Sequence, residues 1–257
     1  MLQLTSLFVC ILALLFTPSS GTQTFANRGT TTGWDFILEE ASGTVDQVTN
    51  VVYGTKGGTA LKMAQTYEPG YTGRYHSEVQ HFTGYHRGEQ GFYGFAFRLQ
   101  EGWQFSPAQS YNLGQFIADF TDTGCDDWMP SSMIWIIGDQ LASRVKTGTV
   151  CDQAITQYEN LATVSAGVWH KVVVQANWQN DGTGWYKLWF DGVKVLEKLN
   201  IDTTIDDTRE FQFHVGLYAN GWHDDGAMKG TQPFRQVWYD QIAMGTTFAD
   251  ADPDQWS

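Results

Sequence analysis

Residues Phe211 to Tyr218 alternate without a break. Phe211, Phe213, Val215 and Leu217 are apolar, while Gln212, His214, Gly216 and Tyr218 carry polar groups or no side chain. A period of two is that of a β-strand, with hydrocarbon on one face and acid–base groups on the other. Gly216 sits between His214 and Tyr218, so another group can come close to the backbone there. The stretch runs on through Asn220, Gly221, Trp222 and His223. A strand of this kind calls for a sheet with one buried face and one face that meets solvent or a ligand.

The rest of the chain follows the same period. Helical periodicity is nearly absent, and short alternating runs are separated by Gly, Asp, Asn and Thr. That pattern predicts an all-β protein, a sandwich or jelly roll. Strands are expected at 34–40, which would be the first, and at 57–63, 74–81, 91–98, 111–120 and 132–137. Further strands are expected at 169–178, 184–190, 193–196, 211–218 and 237–244. Asn180-Asp181-Gly182 and Asp191-Gly192 read as hairpin turns. The strand, Asp-Gly, strand pattern ending at Val193 is common in concanavalin-like sandwiches of two antiparallel sheets. A concave substrate groove on one sheet is expected.

Residues 7–16 form an apolar run too short to span a bilayer, followed by Pro18-Ser19-Ser20-Gly21. No Lys or Arg precedes it, so the terminal amine would supply the positive end. Residues 1–21 are expected to be a secretory signal peptide and 22–257 a single domain. Removal of the signal would take away Cys10 and leave Cys125 and Cys151, an even pair that predicts a disulfide in a secreted protein. The formal net charge of −13 argues against a nucleic-acid partner. No second segment of membrane length follows, so no membrane partner is expected, and a monomer is. The negative charge also disfavours an anionic substrate unless a local cationic patch exists. Arg74, His76, His214 and His223 are the candidates for one.

Three strands place polar groups at period two. Arg74, His76, Glu78 and Gln80 share a face; Gln115 and Asp119 share another; His214 and Tyr218 share the third. On one concave sheet they would form a groove, with Trp103, Trp135 and Trp222 available to stack on sugars. A glycosidase needs two facing carboxylates, and Glu78 with Asp119 is a weak pair. No Gly-x-Ser-x-Gly elbow is present. His76, His81 and His86 are spaced by five, unsuited to a compact zinc site on one strand. β-Elimination from a uronic acid fits better. Its C5 proton becomes acidic once the carboxylate is neutralised, and a poised base and acid then complete the reaction.

The segments His76-Ser77-Glu78-Val79, Gln115-Phe116-Ile117 and Phe213-His214-Val215-Gly216-Leu217-Tyr218-Ala219-Asn220 resemble, in order and spacing, the signature strands of jelly-roll alginate lyases. His76 stands where those enzymes have Arg, Ile117 where they have His, and His214 where they have Lys. Tyr75-His-Ser-Glu-Val79 and Gly216-Leu-Tyr-Ala-Asn-Gly-Trp222 look more like the fungal glucuronan lyases, polysaccharide lyase family 20. The resemblance implies a secreted, endo-acting lyase that cleaves β-1,4-glucuronan to unsaturated uronate oligosaccharides. An alginate or other polyuronate lyase, or a non-catalytic carbohydrate-binding module of the same fold, is the alternative. A β-glucan hydrolase is a third reading.

Carried over to this chain, the resemblance implies that Gln115 neutralises the substrate carboxylate. Tyr218 would be the acid and could also be the base. His76 would be the base or share the neutralising role. Arg74, His214, Asn220 and Trp222 would position substrate, and Glu78 would orient Arg74 or His76. The family also implies a structural calcium ion away from the groove, for which Glu40, the Gly58 region and Asp240 are the matching positions.

Overall fold

In a computed structural model, residues 21–54 and 58–255 are described. The expected signal segment, 1–21, lies outside these except for Gly21. In chain order the strands are β1 (Gln23–Asn27), β2 (Phe36–Glu39), β3 (Thr44–Val48), β4 (Ala60–Thr66), β5 (His76–Tyr85), β6 (Gln90–Leu99), β7 (Ser110–Asp119) and β8 (Trp128–Ile137). They continue as β9 (Gln140–Thr149), β10 (Asp152–Thr163), β11 (Trp169–Asn177), β12 (Gly184–Phe190), β13 (Val193–Ile201), β14 (Phe211–Tyr218) and β15 (Phe234–Gly245). Two short helices, α1 (Asn220–Asp224) and α2 (Phe248–Ala251), follow β14 and β15.

These strands form two antiparallel sheets, a jelly roll. The seven-stranded sheet runs β10-β9-β8-β7-β14-β5-β2. The eight-stranded sheet runs β13-β12-β11-β6-β15-β4-β3, with β1 also paired to β15. The first strand is therefore β1, ahead of the expected one at 34–40. β3, β9 and β10 were also not marked by the sequence pattern. The Asp191-Gly192 turn holds φ of 48° and 80°, the geometry a two-residue hairpin needs to match strand twist.

The core lies between the sheets and is largely aromatic. Tyr85 at the end of β5 stacks on Trp178, just past the end of β11, at 3.9 Å and on Phe211 at 4.8 Å. Its buried hydroxyl is satisfied by Ser131 and Thr204. Phe213, Val215 and Leu217 are all buried in this core, each contributing about 1.5–3 kcal/mol by leaving water. Because this face of β14 is fixed inward, His214, Gly216 and Tyr218 must face the other side of the sheet.

Candidate active site

The outer face of the seven-stranded sheet is a groove of about 470 Å³, lined among others by Phe36, Glu40, Arg74, His76, Glu78, Gln115, Trp128 and His214. Register sets its contents. Phe36, Gln80, His214, Gln115, Met133, Arg144 and Gln157 are successive cross-strand partners, one from each of the seven strands. One step along, Gly216 pairs with Glu78, and beyond it Tyr218 pairs with His76. A Cβ at 216 would stand 2.4 Å from the Ser77 carbonyl oxygen and 2.8 Å from Glu78 Cγ. Glycine is what lets the Glu78 side chain lie over β14.

Glu78 is fully buried and is the hub of the site. The Gln115 amide donates to both of its oxygens at 3.1 Å. His76 Nε2 stands 3.9 Å away and His214 Nδ1 3.8 Å away. His214 Nε2 contacts Gln212 Oε1 at 2.9 Å, which turns its other nitrogen to Glu78. Burial opposes ionisation of Glu78. Electrostatic interaction with His76, the contact with His214 and the Gln115 amide outweigh it and hold the carboxyl below its ordinary value. Of the two partners expected for Glu78, His76 stands beside it and Arg74 does not pair with it.

Arg74 instead donates to the Tyr218 hydroxyl at 2.6 Å. The loop that carries it is held by His223, whose ring nitrogen meets the Gly73 carbonyl at 3.2 Å. Tyr218 is only 5% exposed. Burial pushes its pKa up to about 12; Arg74 pulls the other way without prevailing. The resting group is therefore a neutral phenol. His76 stacks on the Tyr218 ring at 3.9 Å. Its Nδ1 donates to Glu40 Oε2 at 2.5 Å, which leaves Nε2 as the nitrogen able to accept a proton. His76, Gln115 and Tyr218 thus converge around Glu78 on the hollow side of the sheet.

Other expected residues lie elsewhere. Trp222 is 1% exposed and packs edge-on to Tyr75 at 5.0 Å and Tyr67 at 5.5 Å, so no sugar can stack on it. Asn220 opens α1 and donates to Ser110 and Asp224, a role in holding the helix rather than substrate. Trp103 is buried beneath the Arg235 guanidinium, 4.7 Å from the ring centre. Trp135 does lie on the groove side, but it is packed against Met133 and Ala142 in the floor. The exposed aromatic rings that line the groove are instead Phe36 and Trp128, 50% and 47% exposed. Cys125 and Cys151 are bonded, with Cα atoms 5.1 Å apart. The disulfide ties the loop carrying Asp126, Asp127 and Trp128 to the β9–β10 turn and so fixes one groove wall.

The three proposed calcium positions do not meet. Glu40 follows β2, which pairs with β5, and so lands on His76 in the groove. Asp240 is on the eight-stranded sheet, next to the Leu61–Tyr239 pair, and Gly58 lies three residues before Leu61. Asp240 is wholly buried, and burial raises its pKa although the Tyr53 and Gln241 amides donate to it. A buried carboxylate of that kind suits a hard cation; Glu40 cannot share it. Among the described residues no group of three His, Cys, Asp or Glu side chains could hold a metal.

β9 supplies two groups that the sequence pattern did not mark. Leu141 and Val145 face the core, so Ala142, Arg144 and Lys146 face the groove side. The alternation of 140–149 carried that signal.

A jelly roll whose hollow sheet bears a buried carboxylate hub, an imidazole, an amide and a phenol defines a class: a carbohydrate-active sandwich with an acid–base centre. The polysaccharide lyase family model matches residues 26–243, and the chain belongs to that family. It is a polysaccharide lyase. The crystal structure of endo-β-1,4-glucuronan lyase from the fungus Trichoderma reesei is 61% identical, covers 91% of this chain and 100% of its own, and superposes with a TM-score of 0.88. The endo-1,3-β-glucanase from Streptomyces sioyaensis is 11% identical over 89% of this chain and 97% of its own, with a TM-score of 0.53. Alginate lyase A1-II′, a member of polysaccharide lyase family 7, is 11% identical over 77% and 83%, with a TM-score of 0.51. These last two share the fold alone. No curated protein matches.

Proposed function

We propose that this chain is a secreted, endo-acting lyase that cleaves β-1,4-glucuronan by β-elimination. The observation that carries the reading is the convergence of His76, Gln115 and Tyr218 around Glu78. Similarity to the Trichoderma reesei enzyme supports the choice of polymer. The groove-facing row that crosses all seven strands suits attack within a chain. The apolar run at 7–16 and the Cys125–Cys151 disulfide support secretion.

The roles follow from the chemistry of each position. Gln115, oriented by Glu78, meets the substrate carboxylate, with His214 beside it. His76 Nε2 removes the C5 proton, its ring fixed by Glu40. The C4–O bond breaks, a C4–C5 double bond forms, and Tyr218 gives its proton to the leaving oxygen. Arg74 then stabilises the phenolate. A neutral resting phenol favours this division over a Tyr218 that acts as the base. A hydrolase is disfavoured because Glu78 is sealed within the hub and cannot face a second carboxylate across a sugar.

Incubation of the purified protein with glucuronan, followed by mass analysis and ultraviolet absorbance, tests the reading. Elimination gives oligosaccharides lighter by one water than hydrolytic products, with the absorbance of the new double bond. Saturated products would point to hydrolysis, and binding without products to a carbohydrate-binding module. A structural calcium ion at Asp240, completed by main-chain oxygens near Gly58, is part of the same proposal. Chelation should lower the Tm, and calcium should restore it.

A further inference from the structure

Arg144 and Lys146 are anomalous in a chain with a net charge of −13. They stand two residues apart on the groove side of β9, so like charges are neighbours. Burial lowers the pKa of both, and Arg144 lowers that of Lys146 further. Among the described residues neither forms an ion pair with a carboxylate. The buried Nε of Arg144 has no hydrogen-bond partner. Lys146 donates to an amide oxygen, that of Gln153. Asp224 and Tyr218 act on Arg144, and Asp126 on Lys146, only electrostatically. Desolvating a cation without a partner costs free energy, and nothing in the folded core gains from it. Arg144 also belongs to the row that contains His214 and Gln115, two strands from the latter. Strand spacing puts their Cα atoms roughly 10 Å apart, within reach of a neighbouring sugar.

We infer that Arg144 and Lys146 form a carboxylate-binding subsite that grips uronate residues flanking the cleavage point, so that the groove demands a polyanion and not one acidic sugar. The inference rests on the lyase reading for its reaction but concerns binding, and it can be tested apart from catalysis. Arg144 is planar and presents paired donors that match a carboxylate, whereas Lys146 supplies a point charge. Both cations therefore act on affinity and its salt dependence rather than on the chemical step.

The test compares wild type with Arg144→Gln, Lys146→Gln and the double variant. Native-gel retardation by glucuronan and by the same polymer with its carboxylates reduced to alcohols reads binding alone. Wild type should be retarded by the acidic polymer only, and the double variant by neither. Each single variant should weaken binding about tenfold, the size of one charge-assisted hydrogen bond. In turnover assays the loss should fall on KM rather than kcat, and the salt dependence of KM should flatten. The Tm should hold or rise, because a half-buried cation with no carboxylate partner has been removed. Unchanged retardation in the double variant, or a loss confined to kcat, overturns the inference. Wild type that is retarded but yields no unsaturated product overturns the lyase reading instead, while the binding comparison still decides the subsite. If the double variant fails to fold, Lys146→Gln alone decides by the same readouts.

Discussion

The two faces of β14 are both largely hidden from water and are built on opposite principles. On the inner face Phe213, Val215 and Leu217 meet hydrocarbon from both sheets. On the outer face His214 and Tyr218 are 2% and 5% exposed, yet their neighbours are a carboxylate, an imidazole and a guanidinium. The inner face has interchangeable contacts that add up. The outer face has few contacts, each with one partner, arranged about a charge that burial alone would not tolerate. Substitutions on the inner face should therefore cost stability, and those on the outer face should cost chemistry.

The largest separation is expected from His76→Asn. It should lower kcat about 10²–10⁴-fold while the Tm changes little, and steady-state kinetics with a thermal melt would check both. Leu217→Ala should do the reverse. It should remove about 2–5 kcal/mol of stability in denaturant titrations, and kcat of the folded fraction should survive. If the two variants lose activity and stability together, the faces are not separable. Reduction of Cys125–Cys151 should cost about 2–4 kcal/mol and raise KM more than it lowers kcat, because Trp128 loses its anchor.

The smallest effect concerns pH. Glu78 has a folded pKa below its unfolded value, so it contributes stability above the unfolded value that is lost as pH falls through the folded one. Wild type should lose stability at acid pH more steeply than Glu78→Gln in melts across that range. Equal slopes would remove Glu78 from the role of charged hub.

The fold was largely readable because strand period and turn residues are local properties. β14, β7 and β5 announce themselves by alternation, and so His76, Gln115 and Tyr218 could be placed on one face. β10 could not be read in that way, since most of its residues are exposed and its apolar residues do not alternate. β1 is short, and its pairing with the distant β15 decides its state. What sequence could not supply was adjacency. Gly216 opposite Glu78, Glu40 beside His76 and Arg144 in line with Gln115 are all facts of register between remote segments. The misplacement of Trp222 has a related cause. The chain turns into α1 just after the strand, and that turn drives the indole under the sheet.

The central claim is tested most directly by Tyr218→Phe assayed on glucuronan for ultraviolet-absorbing product, with native-gel retardation by the same polymer as the control for binding. The account predicts that unsaturated product formation falls about 10²–10⁴-fold while retardation is retained. Product formation at the wild-type rate would contradict it, because the phenol held by Arg74 over His76 would then have no part in breaking the bond.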